Sequence, residues 1–228
     1  MMEYRESRSK LRLLLPVLAL CLIAGFFLKG GLHRHADSPE ARDKKSRSGI
    51  EAFNNTNAPG DVARGIEEIT DAAKGGNAEA QKEIATAATT CAAGKITSQR
   101  IADECRLAAE AGDKTAQEAV GRLYAAGNYV EMDKTQAERY LRLAAEQGAP
   151  TAQIGLAQMY ANGDGINQDH IEAAAWYTVV MKSAKTPEEK KAVAAISYLL
   201  DKEEAGLTQD QLGEIWTRAE KYESKYIH

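Results

Sequence analysis

The apolar and polar positions of residues 108–177 follow one pattern that occurs twice, with a period of 36 residues. Small, polar and aromatic positions all take part, so the whole segment is repeated. A fixed period of this length is typical of stacked helical repeats and disfavours a globular enzyme core. The matching residues are Ala116 and Ala152, Gln117 and Gln153, Tyr124 and Tyr160, Gly127 and Gly163, Val130 and Ile166, Asp133 and Asp169, Ala137 and Ala173, and Tyr140 and Trp176.

Each copy is predicted to form two antiparallel helices joined by a loop that contains glycine. Apolar residues recur at intervals of three and four, which places them on one face of a helix. Both faces are expected to point inward, so the repeated aromatic residues belong to the core and do not form a stacking platform. In the second copy the apolar positions are Ala152, Leu156, Tyr160, Ala173, Tyr177 and Val180.

Residues that favour helix ends stand at the positions that this reading requires. Asp133 and Asp169 are predicted to begin helices, because their carboxylates can accept hydrogen bonds from free backbone N–H groups of the first turn. Gln136 and Glu172 follow three residues later, which completes the sequence signature of a helix start. Gly112 and Gly148 each follow a predicted second helix, where a glycine can take a left-handed conformation with little strain.

The period continues toward the N-terminus in a weaker form. Asp61 precedes Asp133 by two periods, and Gly76 precedes Gly112 by one. We therefore divide residues 61–184 into a half-repeat over 61–76 and three repeats over 77–112, 113–148 and 149–184. The first repeat is degenerate, since Ala88 stands at the tyrosine position.

Residues 185–228 are predicted to form two helices that cap the third repeat. One opens at Thr186 and Pro187 and extends to Glu204, and the other runs from Thr208 to about Tyr226. Terminal repeats need such a covering layer with a polar outer side to stay soluble. The apolar face of the last helix is assigned to Leu212, Ile215, Trp216 and Ala219.

The N-terminal region is predicted to be a membrane anchor. A short basic N-terminus over residues 1–12 precedes the anchor over residues 13–32, whose apolar core is Leu13–Leu28. A cleaved signal peptide is disfavoured because no small-x-small site follows the apolar run. A lipoprotein signal is disfavoured because Leu20, and not a small residue, precedes Cys21.

Orientation and attachment follow from the residues around this segment. Basic residues flank it on both sides, but a short basic N-terminus that leads into an apolar run behaves like an export signal. We therefore expect an uncleaved, single-pass inner-membrane anchor that places the repeats in the periplasm. Residues 33–60 are mostly charged or small, without an apolar period, and predict a flexible tether.

Composition narrows the range of functions. With 44% hydrophobic residues, 27% charged residues and a net charge of −4, the chain has no feature of a nucleic-acid-binding protein. It has no glycine-rich phosphate loop, and residues 162–165 read as a turn, since they lack the ligand pattern of a calcium loop. His33 and His35 are assigned to the tether. We therefore predict no catalytic residue, no cofactor and no metal site.

Residues 116–148 and 152–177 resemble the Sel-one-like repeat, a relative of the tetratricopeptide repeat. The small residue, the tyrosine, the glycine, the loop aspartate, the alanine and the second aromatic all fall in register. The resemblance implies an all-α, right-handed solenoid of antiparallel helix pairs, here with one N-terminal transmembrane helix. It also implies binding to other proteins. Exported bacterial members of the family serve in envelope assembly, polymer secretion, motility and signal regulation, or in contact with a host.

Three functions are considered on this basis. The first is a membrane-anchored, non-enzymatic adaptor whose partners are other envelope proteins. The second is a binder of cell-wall glycan or exported polysaccharide, which should expose aromatic residues along a groove. The third is a cell-wall-directed hydrolase, which has little support because the acidic residues are scattered over predicted helix surfaces.

The binding face is predicted by analogy with tetratricopeptide proteins, in which the first helix of each pair lines the concave surface. Ile154 is notable because it would be apolar among polar neighbours, as anchors of protein interfaces are. The predicted binding residues are Glu79, Lys82, Thr86, Thr89, Thr115, Glu118, Arg122, Thr151, Ile154 and Gln158.

Cys91 and Cys105 are a candidate disulfide with arguments on both sides. An exported domain with a pair of cysteines favours a bond, and some members of the family carry one in each repeat. A hairpin that turns near Lys95 instead places Cys91 opposite about Arg100, more than a helical turn from Cys105. These two positions also do not recur in the other copies.

Overall fold

The computed structural model describes residues 38–55 and 59–226, and the described residues form ten helices. The chain divides into two compact units, residues 1–41 and 42–228, and the first contributes only residues 38–41 to the description. The helices are α1 (Pro39–Asn55), α2 (Pro59–Lys74), α3 (Ala78–Ala92), α4 (Gln99–Glu110), α5 (Lys114–Ala126), α6 (Lys134–Glu146), α7 (Pro150–Asn162), α8 (His170–Ser183), α9 (Pro187–Glu204) and α10 (Gln209–Tyr226).

Consecutive helices pack against each other from α2 to α9, and helices two apart also touch near the N-terminal end, α2 with α4 and α3 with α5. Helices α3, α5 and α7 form the first-helix layer, and α2, α4, α6 and α8 form the second-helix layer. Helix starts are fixed by side-chain caps, since Asp113, Asp133 and Asp169 each accept a hydrogen bond from a backbone N–H of the following turn. The repeat pattern therefore acts through local capping as well as through burial.

Two apolar clusters make up the core of the described residues. The first extends from α1 to α6 and contains Phe53, Ile69, Leu107 and Val120 as large buried side chains. The second extends from α6 to α9 and contains Leu156, Trp176, Tyr177 and Val180. Much of both clusters is alanine, which lets the helix backbones approach closely.

The predicted tether is wrong over residues 39–55, because these residues form helix α1. Phe53 is buried in the first cluster, and α1 crosses α2 at Gly49 and Gly65. A side chain on Gly65 would meet the Gly49 carbonyl and the Phe53 amide, both at 2.8 Å, so this crossing requires glycine. Residues 33–37 and 56–58 of the predicted tether lie outside the described residues.

Arg100 of α4 holds the C-terminal end of α1. Its guanidinium donates hydrogen bonds to the Phe53 carbonyl and to the side chain of Asn54, both at 2.6 Å. The same guanidinium lies 4.2 Å from the centre of the Phe53 ring, an attractive cation–π arrangement. Helix α1 is therefore part of the folded unit.

The structure joins Cys91 and Cys105 in a disulfide, with 5.0 Å between their α-carbons. The predicted register was wrong because residues 93–98 form a longer connection than a tight turn. Helix α4 begins at Gln99, six residues or about 9 Å before Cys105 at the usual rise per residue. Its N-terminal end therefore projects past the end of α3, which brings Cys105 level with Cys91.

The cap helices α9 and α10 both pack on α8. Ile215 and Ala219 of α10 are fully buried, but Trp216 is 52% exposed, so its assignment to the apolar face was wrong. The aromatic residue of α10 that packs on the third repeat is Tyr222, whose ring stacks on Trp176 with 4.5 Å between the ring centres. Tyr140 and Trp176 are buried as predicted, whereas Tyr124 and Tyr160 are only half-buried.

In the described residues, no helix combines the length and the apolar character needed to cross a membrane. The basic N-terminus over residues 1–12 and the predicted anchor over residues 13–32 lie outside that part of the chain.

Candidate functional site

The ten predicted binding residues lie on α3, α5 and α7, the first-helix layer. Eight of them are exposed, and Glu118 and Ile154 are half-buried. Ile154 packs at the edge of the second core cluster, so part of its side chain remains available at the surface.

The structure brings four of these residues together around a groove of about 340 Å³, namely Arg122, Thr151, Ile154 and Gln158. The groove lies between α5 and α7, where the second and third repeats meet. Sequence reasoning missed its floor, because Leu141 and Met159 are not among the predicted binding residues. The other lining residues are Ala125, Leu141, Gly155, Met159, Asn162 and Asp164.

Gly155 keeps the floor of this groove open. It lies within α7, where glycine is less favourable than alanine by about 1 kcal/mol. No close packing requires it, since an added β-carbon would lie 3.5 Å from the nearest atom, on Leu141. Gly121 of α5, which is not its counterpart in the repeat, differs because a β-carbon there would lie 2.8 Å from Leu141. Gly121 therefore serves helix packing, and Gly155 leaves space at the surface.

The remaining predicted residues do not line the groove. Thr86 and Thr89 donate hydrogen bonds to carbonyls of their own helix, and Glu118 lies 3.8 Å from Arg122 in an exposed ion pair. Glu79, Lys82 and Thr115 are exposed without a common cavity. Within the predicted face, the groove of the second and third repeats is thus the part with a concave shape and an apolar floor.

A second open region lies beside the loop 127–133. Cavities of about 660 and 560 Å³ share Arg106, Tyr124 and Glu131 as lining residues, and we call them together the loop cleft. Glu110 borders the cleft and accepts hydrogen bonds from Arg139 and from the Tyr140 hydroxyl. Burial alone would raise the pKa of Glu110, but these bonds outweigh it, and the pKa is lowered.

A buried carboxylate links the third repeat to the cap. Glu172 accepts hydrogen bonds from Trp176 at 3.1 Å, from Arg218 at 2.8 Å and from the Tyr222 hydroxyl at 2.8 and 3.0 Å. Its backbone N–H donates to Asp169, but its side chain points inward to these partners and does not complete the predicted capping box. The sequence could not reveal this, because Arg218 and Tyr222 lie 46 and 50 residues away.

The described residues contain no group of three or more histidine, cysteine, aspartate or glutamate side chains that could hold a metal ion. His170 and the buried Glu203 form a pair at 2.5 Å that joins α8 to α9. Neither residue lines a described cavity with a nucleophile. The described grooves have a geometry that suits binding to the surface of a partner.

Comparison with known proteins identifies the repeats. The family model of the Sel1 repeat matches residues 114–148 and 150–178, two consecutive repeats. A Sel1 repeat protein from Oxalobacter formigenes is 32% identical, with 54% of this chain and 94% of that chain covered and a TM-score of 0.35. No curated protein sequence matches this chain.

A longer protein shares the fold. It is a protective antigen of uropathogenic Escherichia coli strains, described as displaying an SLR fold. It is 24% identical, the TM-score is 0.53, and the match covers 82% of this chain. This chain spans only 38% of the length of that antigen. Together the family model, the sequence identity and the shared fold show that the chain belongs to the Sel1-repeat family, whose all-helical solenoids commonly mediate protein–protein interaction.

Proposed function

We propose that this protein is a non-catalytic adaptor, anchored in the inner membrane, that binds another envelope protein on its first-helix layer. The observation that carries the proposal is the groove at Ile154, where an apolar floor lies between polar rims. Such a setting suits a partner side chain that becomes fully desolvated, which is where interfaces concentrate their binding energy. Among the described residues that line the groove none is aromatic, which disfavours a sugar-stacking site.

The placement in the periplasm is supported by two independent features. The basic N-terminus followed by the apolar segment 13–32 resembles an export anchor. The Cys91–Cys105 disulfide agrees with an oxidising compartment, since such bonds are rare in the cytosol of mesophiles. A reporter enzyme that is active only in the periplasm, fused after His228, should be active if this orientation is right.

The binding role is tested by capture from solubilised membranes after crosslinking in cells. We expect Ile154→Arg to reduce recovery of the crosslinked partner at least tenfold, because a charge would enter the groove floor. Gln158→Arg, on the exposed rim, should give a smaller loss without any change in the core. Undiminished recovery with both variants would place the binding surface elsewhere.

The matched control is Thr86→Arg, which adds the same side chain to the same layer outside the groove. Thr86 is exposed and bonds only its own helix, so this change should leave recovery unaltered. Circular dichroism and thermal melting should show that all three variants keep the fold. Equal losses from Thr86→Arg and Ile154→Arg would mean that the groove has no special role.

A further inference from the structure

The loop cleft has a counterpart in the next repeat that is covered by the chain itself. The residues that line the cleft at Arg106, Tyr124, Asp133, Gln136 and Tyr140 correspond, 36 residues later, to another set. The corresponding residues are Arg142, Tyr160, Asp169, Glu172 and Trp176. The two sets can be compared position by position, because the backbone repeats.

Helix α10 occupies the second of these positions. Tyr222 stacks on Trp176 and donates its hydroxyl hydrogen to Glu172, while Arg218 donates to Asp169 at 3.3 Å and to Glu172. Arg218 and Tyr222 are four residues apart and so lie on one face of α10. The covered cleft therefore shows what this type of surface binds, namely a helix with an arginine and a tyrosine one turn apart.

The loop cleft has hydrogen-bond acceptors at the same repeat positions, and no helix among the described residues covers it as α10 covers its counterpart. Asp133 caps its helix through Oδ1, as Asp169 does. In Asp169 the other oxygen, Oδ2, accepts the hydrogen bond from Arg218. Gln136 replaces Glu172 and has a carbonyl oxygen in place of a carboxylate, and this oxygen already accepts a hydrogen bond of 3.4 Å from Arg139. Glu131, where the covered cleft has Asn167, is exposed and makes no ion pair among the described residues. Arg106 and Arg139 also line the cleft, but they pair with Asp103 and Glu110, so the remaining acidic groups Asp133 and Glu131 favour a basic occupant.

Exposed apolar side chains surround this cleft but not its counterpart. Met132 is 61% exposed and Tyr129 is 43% exposed, where the next repeat has Gln168 and Gly165. Tyr129 has a φ of +59°, a left-handed conformation that is unfavourable for tyrosine and easy for glycine. Within the described residues no core packing repays this strain, and strained residues of this kind cluster at binding sites.

We infer that the loop cleft is a second docking site, which takes an amphipathic helix of a partner protein carrying an arginine and a tyrosine one turn apart. The partner helix lies against Tyr124, Tyr129 and Met132. It does not stack on Tyr140, the counterpart of Trp176, because that ring already packs against Tyr124 at 5.8 Å and Arg139 at 4.7 Å. Its arginine reaches Asp133 and Glu131, and its tyrosine hydroxyl reaches Gln136. This inference rests on the proposed function only in taking the chain to be a protein-binding scaffold, since it uses a different surface from the Ile154 groove.

The chain supplies its own probe for this site. A fluorescent synthetic peptide of residues 209–226 carries Arg218 and Tyr222 on one face and can be titrated against the full-length protein by anisotropy. We expect saturable binding in the range up to about 1 mM that weakens at least tenfold with the peptide variant Arg218→Glu. A photoreactive group at peptide position 222 should crosslink to residues 129–139.

The matched protein variant replaces Tyr129, Glu131 and Met132 by the residues of the next repeat, as Tyr129→Gly, Glu131→Asn and Met132→Gln. It should melt no lower than the parent protein and bind the peptide at least tenfold more weakly. Gln168→Glu, at the covered cleft, should leave peptide binding unchanged. The inference is overturned if the peptide does not saturate, if the triple variant binds it equally, or if crosslinks map to Trp176 through displacement of α10.

The Ile154→Arg variant separates this inference from the proposed function. It should bind the peptide as the parent protein does, because Ile154 lies on the first-helix layer. Loss of partner recovery with normal peptide binding supports both sites. If the parent protein recovers its partner but does not bind the peptide, the docking site at the loop cleft is refuted and the proposed function is not.

Discussion

The two ends of the solenoid use the same repeat but are held together differently. In the first repeat, small residues such as Ala80, Ala87 and Ala102 form the helix contacts, and a disulfide joins α3 to α4. In the third repeat, Trp176 and Tyr177 fill the core, and the Glu172 cluster ties α8 to α10. The backbone pattern is thus compatible with covalent fastening and with aromatic packing.

The difference shows how a degenerate repeat can remain folded. A solenoid is stabilised by contacts within each repeat and between neighbours, so a weak repeat needs another source of stability. The disulfide closes a separation of 14 residues and lowers the entropy of the unfolded chain, which offsets the missing tyrosine at Ala88. The third repeat gains its stability from the cap instead, through contacts that exist only in the folded state.

The largest expected effect is at Trp176. Trp176→Ala should destabilise the protein by about 3 to 5 kcal/mol, because it removes a fully buried ring and the surface on which Tyr222 stacks. Trp176→Phe keeps an aromatic ring and should cost less. Urea unfolding measures both, and hydrogen exchange should show the loss in α8, α9 and α10. A loss below about 1 kcal/mol would mean that the cap does not depend on this contact.

The disulfide should contribute less to the free energy of unfolding than Trp176 does, and it acts at the opposite end of the solenoid. Cys91→Ala with Cys105→Ala should lower the free energy of unfolding by about 3 kcal/mol, the value typical of a loop of this size. Refolding of the parent protein under reducing conditions should give the same loss. Faster hydrogen exchange should be confined to α1 to α4. Equal stability of the oxidised and reduced proteins would show that the bond does not fasten this repeat.

Tyr222 should have the smallest effect of the three. Tyr222→Phe removes the hydrogen bonds to Glu172 but keeps the ring, so we expect a loss of about 1.5 kcal/mol at pH 7. Equal stability of Tyr222→Phe and the parent protein at neutral pH would show that these hydrogen bonds do not stabilise the cap.

The same variant should change the alkaline pH dependence. Burial, together with the bond to Glu172, raises the pKa of Tyr222, so it stays protonated in the folded protein while the unfolded chain ionises near pH 10. The contribution of Tyr222 to stability is therefore fully present below pH 10 and is lost as the pH rises above it. The free energy of unfolding of Tyr222→Phe should fall less steeply with pH in that range. The difference in slope corresponds to about one proton. An unchanged slope would show that Tyr222 is not shielded.

Much of the fold could be predicted because its determinants are local. Asp113, Asp133 and Asp169 mark helix starts, and Gly127 and Gly163 end helices in left-handed conformations. Helix α1 was missed because its buried face combines apolar and small polar residues. Ser46, Gly49, Ile50 and Phe53 do recur at helical spacing, but two of the four carry no apolar signal.

The candidate sites were less accessible to sequence reasoning. The predicted face includes Ile154 and Gln158, which line the groove, because the period places them on one side of α7. The groove itself depends on Gly155 and Leu141, which the periodic pattern does not mark as binding positions. The loop cleft and the role of Tyr222 depend on contacts between residues that are distant in the chain, and a repeat pattern carries no information about these.

The central claim is that the groove between the second and third repeats binds the partner, and Gly155 tests it most directly. Gly155→Ala fits the available space and should raise helix stability by about 0.5 to 1 kcal/mol, whereas Gly155→Leu fills the floor of the groove. We predict that partner affinity, measured with the purified full-length protein and the partner recovered by crosslinking, falls slightly for alanine and at least tenfold for leucine, while melting temperatures do not fall in parallel. Unchanged affinity with the leucine variant would contradict the claim.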